Sequence, residues 1–275
     1  SGERNLCVSG GLFANVLVNQ KLQYLAKRRG GRLYVFPHMG DGGIAAGVAM
    51  LRSWELSNNP EMEGQDTMYL GPEYSVDDIY ESLIASSVRF WAPGANYANN
   101  VAELIADGKI VGHFAGRMEY GPRALGNRSI FYNASSETAS GVLNERLGRS
   151  EFMPFAPVIL KEYAKDYLED YSDEDELLAS FMTSCFRCTA TMIQDMPGVI
   201  HIDKTARAQI VSKDSNYLVH SVLSSYAYKT SIGGVINTSF NSHEEPIVCT
   251  PADAIKSLKR GVIDSIAMYP FIAEL

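Results

Sequence analysis

Apolar positions along the chain fall into short runs separated by glycine, proline or charged punctuation. Leu6-Cys7-Val8-Ser9 predicts a strand, and Gly10-Gly11 the turn that opens a helix with Leu12, Val16, Leu17 and Leu22 as its apolar stripe. Leu33–Phe36 predicts a second strand. The loop His38-Met39-Gly40-Asp41-Gly42-Gly43 then leads into a small-residue helix over Ile44–Leu51. Residues 56–75 are polar and carry Asn58-Asn59-Pro60 and Gly71-Pro72, which predicts a linker and a domain boundary.

A second series follows. Ser75 with Asp77 and Asp78 caps a helix over Val76–Ser87, and Asn99–Ala106 predicts another. Ile110–Phe114 reads as a strand that delivers an arginine-rich segment. Helices are expected over Ser136–Leu147, Tyr217–Lys229 and Pro251–Arg260. Strands are expected over Phe155–Leu160, Val199–Ile202, Ala208–Val211 and Gly234–Ile236. Tyr163–Glu176 is acidic and reads as a solvated helix and loop. Strands that alternate with helices place the chain in the α/β or α+β class.

Composition narrows the function. A length of 275 residues allows one large or two ordinary domains, and 46% hydrophobic with 20% charged residues is globular. The net charge of -8 argues against broad nucleic-acid or anionic-membrane binding, while leaving room for a local anion site. Four cysteines with no framework spacing fit reduced thiols in a cytoplasm. No apolar run is long enough to span a membrane. Ser1-Gly2-Glu3-Arg4 enters the first strand at once without an initiator Met, which predicts an excised piece of a longer protein.

Against this acidic background, Gly116–Ser129 collects Arg117, Arg123 and Arg128 among Gly116, Gly121, Pro122 and Gly126. Guanidinium grips phosphate or carboxylate bidentately, and glycine lets backbone N–H groups approach an anion. The segment therefore reads as an oxyanion pocket. The alternative is a strand–loop–helix with surface ion pairs. Glu119 either orients one of the arginines or is a surface charge.

Other segments carry polar groups in patterns of interest. Asn237-Thr238-Ser239-Phe240-Asn241 follows a predicted strand; its amides and hydroxyls suit a nucleotide or phosphate, or satisfy a local turn. A continuing strand would put His201, Asp203, Thr205, Arg207 and Gln209 on one face. That face is a ligand floor or a satisfied hydrogen-bond network. Arg149 precedes Phe152-Met153-Pro154-Phe155-Ala156-Pro157 and is a candidate phosphate ligand. Gly10, Gly11 and Asn15 form a strand–turn–helix that can hold a phosphate. Cys185-x-x-Cys188 lacks the second pair that zinc needs. His113 and His243 carry no assignment.

Taken in order, these motifs closely resemble the O-carbamoyltransferases of the nodulation NodU and antibiotic-biosynthesis type. The likeness rests on Gly116–Ser129, Arg149–Pro157, His201–Gln209, Asn237–Asn241 and Glu245-Pro246-Ile247-Val248, and it covers essentially the whole chain. It implies two units. Residues 1–70 would be the tail of an actin/hexokinase-type carbamoyl-transfer domain. Residues 76–275 would be a YrdC-like domain that forms carbamoyl adenylate from carbamoyl phosphate and ATP, with Mg2+ accompanying the nucleotide.

The transfer domain would then pass the carbamoyl group to a hydroxyl of a small-molecule acceptor. The likeness implies phosphate or nucleotide contacts at Arg149, His201, Arg207, Asn237, Thr238, Ser239, Asn241, Gly10, Gly11 and Asn15, and catalytic roles for Arg117, Arg123 and Arg128. Asp41 matches an aspartate that binds Fe2+ or a similar divalent metal, together with histidines that this chain lacks. Lys204 and Glu244 stand where the family commonly has glycine. Two other readings are an RNA-binding YrdC-like module and threonylcarbamoyl-adenylate synthesis for tRNA modification.

Overall fold

The structure, a computed structural model, describes residues 2–57, 66–149 and 154–275. Asn58-Asn59-Pro60, and residues 150–153 of the segment after Arg149, lie outside the described residues. The N-terminal part is β1 (Leu6–Val8), α1 (Val16–Arg28), β2 (Leu33–Val35) and α2 (Asp41–Ser57), with β1 and β2 paired in parallel. A single turn of 3-10 helix over Gly11–Ala14 separates the glycine turn from α1, and Asn15 caps α1.

The predicted apolar stripe of α1 is not its buried face. Leu12 and Leu17 are exposed, while Asn19, Gln23 and Ala26, at i, i+4 and i+7, point inward. The reason is polar docking. The Asn19 amide donates to Phe13 O and Thr183 O, both at 2.7 Å. The Gln23 amide donates to Asp175 Oδ1 at 2.8 Å, and Lys27 pairs with Asp175.

The remaining helices are α3 (Val76–Ser86), α4 (Tyr97–Ala106), α5 (Ala139–Arg146), α6 (Ala164–Tyr167), α7 (Glu176–Ser180), α8 (Ala190–Asp195), α9 (Tyr217–Thr230) and α10 (Pro251–Lys259). The strands are β3 (Arg89–Trp91), β4 (Val111–Phe114), β5 (Arg128–Tyr132), β6 (Ala156–Leu160), β7 (Phe186–Arg187), β8 (Thr205–Ala206), β9 (Gln209–Val211), β10 (Gly234–Ser239), β11 (Ser265–Met268) and β12 (Phe271–Glu274). Eight of them form one mixed sheet in the order β3-β12-β11-β4-β5-β10-β6-β9. The β11–β4 and β6–β9 pairs are parallel and the others antiparallel. This is a mixed α/β fold.

Both faces of the sheet are covered, and the strand residues alternate between two cores. Phe114, Ile130, Ile159, Ile236 and Ile266 enter one core, beneath α3, α5 and α10. Val111, Phe131, Val158, Val235 and Ala267 enter the other, beneath α4 and α9. A sheet buried on both sides has strands rich in consecutive apolar residues, which is how β6 and the apolar parts of β4 and β10 are recognisable in the sequence. Helix ends follow their caps. Ser75 and Asp78 form a reciprocal capping box at α3, as do Thr250 and Asp253 at α10.

Two expectations need correction. Val199–Ile202 is not a strand, because Pro197–Val199 is a 3-10 turn and pairing resumes only at β8. Gly198 is packed so closely that a Cβ there would lie 2.7 Å from Ser136 O. The continuous polar face from His201 to Gln209 is therefore broken. Nor are residues 66–74 a free linker. Gly71 N donates to Met118 O, Met118 N to Pro72 O and Tyr120 N to Met68 O, at 2.9, 2.9 and 2.6 Å. The linker's C-terminal half is thus zipped to the arginine segment.

Lys204 and Glu244 have φ of 60° and 63°, the left-handed conformation that glycine adopts without strain. Both side chains are exposed. Lys204→Gly and Glu244→Gly are expected each to raise the unfolding free energy by about 1 kcal/mol in denaturant titrations. Unchanged or lower stability would show that these turns do not strain the chain.

Candidate functional site

The arginine segment is shaped from within by two buried charged side chains. Glu119 Oε1 accepts backbone N–H groups from Leu125, Asn127 and Arg128 at 2.7, 2.8 and 3.2 Å. The carboxylate therefore acts as the internal acceptor for the turn of the loop. It is neither a surface charge nor the partner of a guanidinium. Burial raises its pKa, and the backbone donors oppose that rise.

Arg128 is fully buried at the start of β5. Its guanidinium donates to the carbonyls of Ala115, Gly116 and Asn127 at 2.9, 3.2 and 3.2 Å, and to Pro72 O at 3.4 Å. It also lies 3.7 Å from the centroid of the Phe114 ring. Gly116, Gly121 and Gly126 have φ of 49°, 134° and 114°, which lets the chain turn between these clamps. His113, buried and held neutral with its pKa near 4, hydrogen-bonds the Gly126 carbonyl through Nδ1.

The three arginines of the segment therefore do not form one grip. Arg128 is committed to backbone carbonyls. Arg117 is exposed, donates to Leu70 O at 3.1 Å and lines a separate, open cavity of about 770 Å³ beside Tyr69 and Asn127. Arg123 instead lines a smaller cavity of about 140 Å³ together with Arg149, Arg207, Asn237, Thr238 and Ser239. β10 supplies the last three, the turn between β8 and β9 supplies Arg207, and the chain beyond α5 supplies Arg149.

The electrostatics of this cavity are one-sided. None of its described lining residues is a carboxylate. Burial, then the charges of Arg123 and Arg149, pull the Arg207 pKa down to about 10 from 12.5. A shift of that size corresponds to about 3 kcal/mol against the charged form. That exceeds the net 0.5–1.5 kcal/mol or so of an ordinary hydrogen bond, so the site is costly to hold without an anion. Burial also lowers the pKa of Arg123 and Arg149. Arg149 donates to Thr238 Oγ1 at 3.2 Å and lies over the Phe155 ring at 5.0 Å. Arg123 Nε, Arg207 Nε and Asn237 Oδ1 are buried with no hydrogen-bond partner among the described residues.

Several sequence candidates lie elsewhere. Asn241 builds a turn: its amide donates to Ser242 O and Glu245 O, and its Oδ1 accepts from Ser239 at 2.6 Å. His201 Nδ1 meets Thr205 Oγ1 at 3.1 Å, outside the cavity wall. Asn15 accepts from Leu17 N and Val18 N as a helix cap, and Gly10 and Gly11 open the preceding turn. Burial raises the thiols of Cys185 and Cys188 to about 11 and 12, so both stay neutral. Asp41 is exposed at the start of α2, and no group of three or more His, Cys, Asp or Glu that could hold a metal occurs among the described residues. One carboxylate does not fit an iron site.

Sequence reasoning did not foresee the contact between the arginine segment and the glycine loop of the N-terminal part. Tyr120 donates its hydroxyl to Gly42 O at 2.7 Å, and its ring meets His38 edge-on at 4.5 Å. A separation of nearly eighty residues leaves no local signal for that pairing.

Two variants separate the arginine roles. Arg128→Met should lower the unfolding free energy by about 3 kcal/mol, since it strands buried carbonyls. Arg123→Ala should leave stability within about 1 kcal/mol and weaken inorganic phosphate binding at least about tenfold. Denaturant titration and calorimetry read both; the reverse pattern would overturn the assignment. The sign of the pH effect follows from Arg207. Its folded pKa lies below the unfolded one, so its charge opposes folding below about pH 10, and that penalty vanishes as pH rises further, toward the ordinary arginine value. A bound anion favours the charged form. Phosphate affinity should therefore fall as pH rises through about 10, with proton uptake on binding in calorimetry across buffers.

Residues 102–274 match the family model "Carbamoyltransferase C-terminus", and residues 1–50 match "Carbamoyltransferase N-terminus". Nodulation protein NolNO of Sinorhizobium fredii is 32% identical over 100% of this chain and 40% of its own length. Nodulation protein NolO of Bradyrhizobium diazoefficiens is 31% identical over 100% of this chain and 50% of its own. An uncharacterised protein of Synechocystis is 33% identical over 98% and 48%. The chain thus spans about half the length of these relatives. Among solved structures, full-length HypF in a phosphate- and nucleotide-bound form aligns at TM-score 0.46 and 21% identity, covering 66% of this chain and 22% of that one. A doubly substituted variant of Sua5 from P. abyssi aligns at 0.43 and 16%, covering 62% and 45%. The chain belongs to the carbamoyltransferase family.

Proposed function

We propose that this chain carries the carbamoyl-activating part of an O-carbamoyltransferase, and that the cavity of Arg123, Arg149 and Arg207 is where carbamoyl phosphate and the phosphates of ATP meet. The observation that supports this reading is the set of three guanidinium groups around about 140 Å³ with no carboxylate among the described walls. Two polyanions must approach one another for such a reaction, and fixed cations offset their repulsion and set the attacking geometry. The volume suits an acyl phosphate or a phosphate tail but not a whole nucleotide, so the nucleoside would lie outside it.

The chemistry needs no side-chain nucleophile. Carbamoyl phosphate and one water give carbamate and phosphate. A carbamate oxygen then attacks the α-phosphorus of ATP, forming carbamoyl adenylate and releasing pyrophosphate. Arg123, Arg149 and Arg207 would hold phosphate oxygens and stabilise the charge that develops on the leaving groups. Thr238, whose Oγ1 accepts from Arg149, would add its O–H as a donor. Mg2+ would enter with ATP, and no step is assigned to a metal at Asp41.

The family match to residues 1–50 supports residues 1–70 as the tail of the carbamoyl-transfer domain, with residues 76–275 as the activating, YrdC-like unit. The final acceptor would be a hydroxyl of a small molecule. No helix among the described residues is long and apolar enough to cross a membrane.

Incubating the protein with Mg-ATP and carbamoyl phosphate should release pyrophosphate and yield carbamoyl adenylate. Arg207→Ala should cut that rate by about a hundredfold or more. Absence of both pyrophosphate release and nucleotide binding would overturn the proposal, and a requirement for threonine would redirect it to threonylcarbamoyl-adenylate synthesis.

A further inference from the structure

The side-chain amide of Asn237 has one orientation available to it, and that orientation leaves a buried, unpartnered acceptor on a residue of the arginine cavity wall. Gln209 sets it. The Gln209 amide nitrogen donates to Leu125 O at 2.7 Å, so its Oε1 must face the other way as an acceptor. That Oε1 receives the Asn237 amide nitrogen at 2.7 Å, and the same nitrogen also reaches Ala124 O at 3.3 Å. Turning the Asn237 amide over would set oxygen against two oxygens. Its Oδ1 is therefore fixed as an acceptor, buried and without a partner among the described residues. Asn237 itself is 2% exposed and belongs to the cavity wall.

The surrounding groups make this acceptor unusual. Arg123, Arg149 and Arg207 present only N–H donors. Thr238 Oγ1 already accepts from Arg149, and Ser239 donates its hydroxyl to Asn241. A phosphate group with no protonated oxygen satisfies the guanidinium groups and leaves Oδ1 unpaired. A ligand that satisfies the whole wall carries anionic oxygens on one part and an N–H group on another.

We propose that Asn237 is a specificity-determining residue that reads the amino group of a carbamoyl phosphate through Oδ1, and so excludes acetyl phosphate. This rests on the cavity being the carbamoyl phosphate site. The two acyl phosphates share one phosphate and one carbonyl, and differ only in NH2 against CH3. The arginines see them alike. A buried acceptor left facing a methyl group loses its hydrogen bond, and sites built around such a bond reject the analogue that lacks it. Gln209 is the positioning residue, since it keeps the amide from turning.

The test is a calorimetric comparison of carbamoyl phosphate, acetyl phosphate and inorganic phosphate on the whole chain. The wild-type protein should prefer carbamoyl over acetyl phosphate at least about tenfold. Asn237→Ala should bring that ratio to within about twofold while inorganic phosphate binding persists. Gln209→Leu, which lies behind the cavity lining but frees the amide to turn, should lower the ratio by about threefold or more, and it serves as the test should the Asn237 variant not fold. Equal wild-type affinities, or a ratio unchanged in either variant, would overturn the proposal. Arg207→Ala tells the two readings apart. If it loses inorganic phosphate while the wild type fails to discriminate, the anion site stands and only the role of Asn237 falls. If it binds phosphate as the wild type does, the anion site itself is wrong.

Discussion

The closure of the loop between β4 and β5 is the constraint on which the site depends, and two buried charges accomplish it from opposite sides. Glu119 gathers three backbone N–H groups on one carboxylate oxygen, and Arg128 gathers carbonyls from the loop ends and from Pro72. An irregular stretch has no ladder to satisfy its peptide groups, so a buried loop needs side chains to do it. Here an anion serves the donors and a cation serves the acceptors. With the ends tied down, the outer part of the loop places Arg123 in the cavity and Tyr120 against Gly42.

The same logic explains why an arginine-rich motif divides its labour. A guanidinium in contact with several carbonyls, as at Arg128, is a structural part, although its Nε has no partner among the described residues. A guanidinium with an unpartnered Nε that lines a cavity beside two others is in a different state. Arg207 shows the penalty in its depressed pKa, and the desolvation that weakens its charged form is the property that makes a bound anion favourable. Pre-arranged cations of this kind need little rearrangement when the ligand arrives.

The sheet supplies the rigidity. Strands β4, β5, β10 and β6 are adjacent in its middle, with apolar residues sent to alternate faces. Asn237 lies on β10, between β5 and β6, which is why its amide can be held by Gln209 on one side and by the Ala124 carbonyl on another. Polar groups on a central strand are placed more firmly than groups on a loop tip. The N-terminal part reaches this region through Tyr120 and His38, and through the polar face of α1 on Asp175 and Thr183.

What was legible in the sequence follows from local physics. Short apolar runs marked β6 and parts of β4 and β10, because strands buried on both faces carry apolar residues on each of them. The Ser75 and Thr250 capping boxes fall at the ends of two of the predicted helices, and the clustering of Arg, Gly and Pro singled out the loop between β4 and β5 as a candidate. The family likeness rested on the order of such motifs. What sequence left undecided were the pairings that depend on distance in space. Strands β3, β5, β11 and β12 were not foreseen, and β5 was hidden inside the arginine motif. No spacing distinguishes the Arg128 that braces a loop from the Arg123 that faces a cavity, since the difference lies in which carbonyls come within reach. Glu119 read either as an orienter of an arginine or as a surface charge until its oxygen met three N–H groups, and Asn237 acquired a fixed orientation only from Gln209. Local propensity and composition set the elements and the chemistry available; tertiary packing alone decided which polar atoms were satisfied and which were left without a partner.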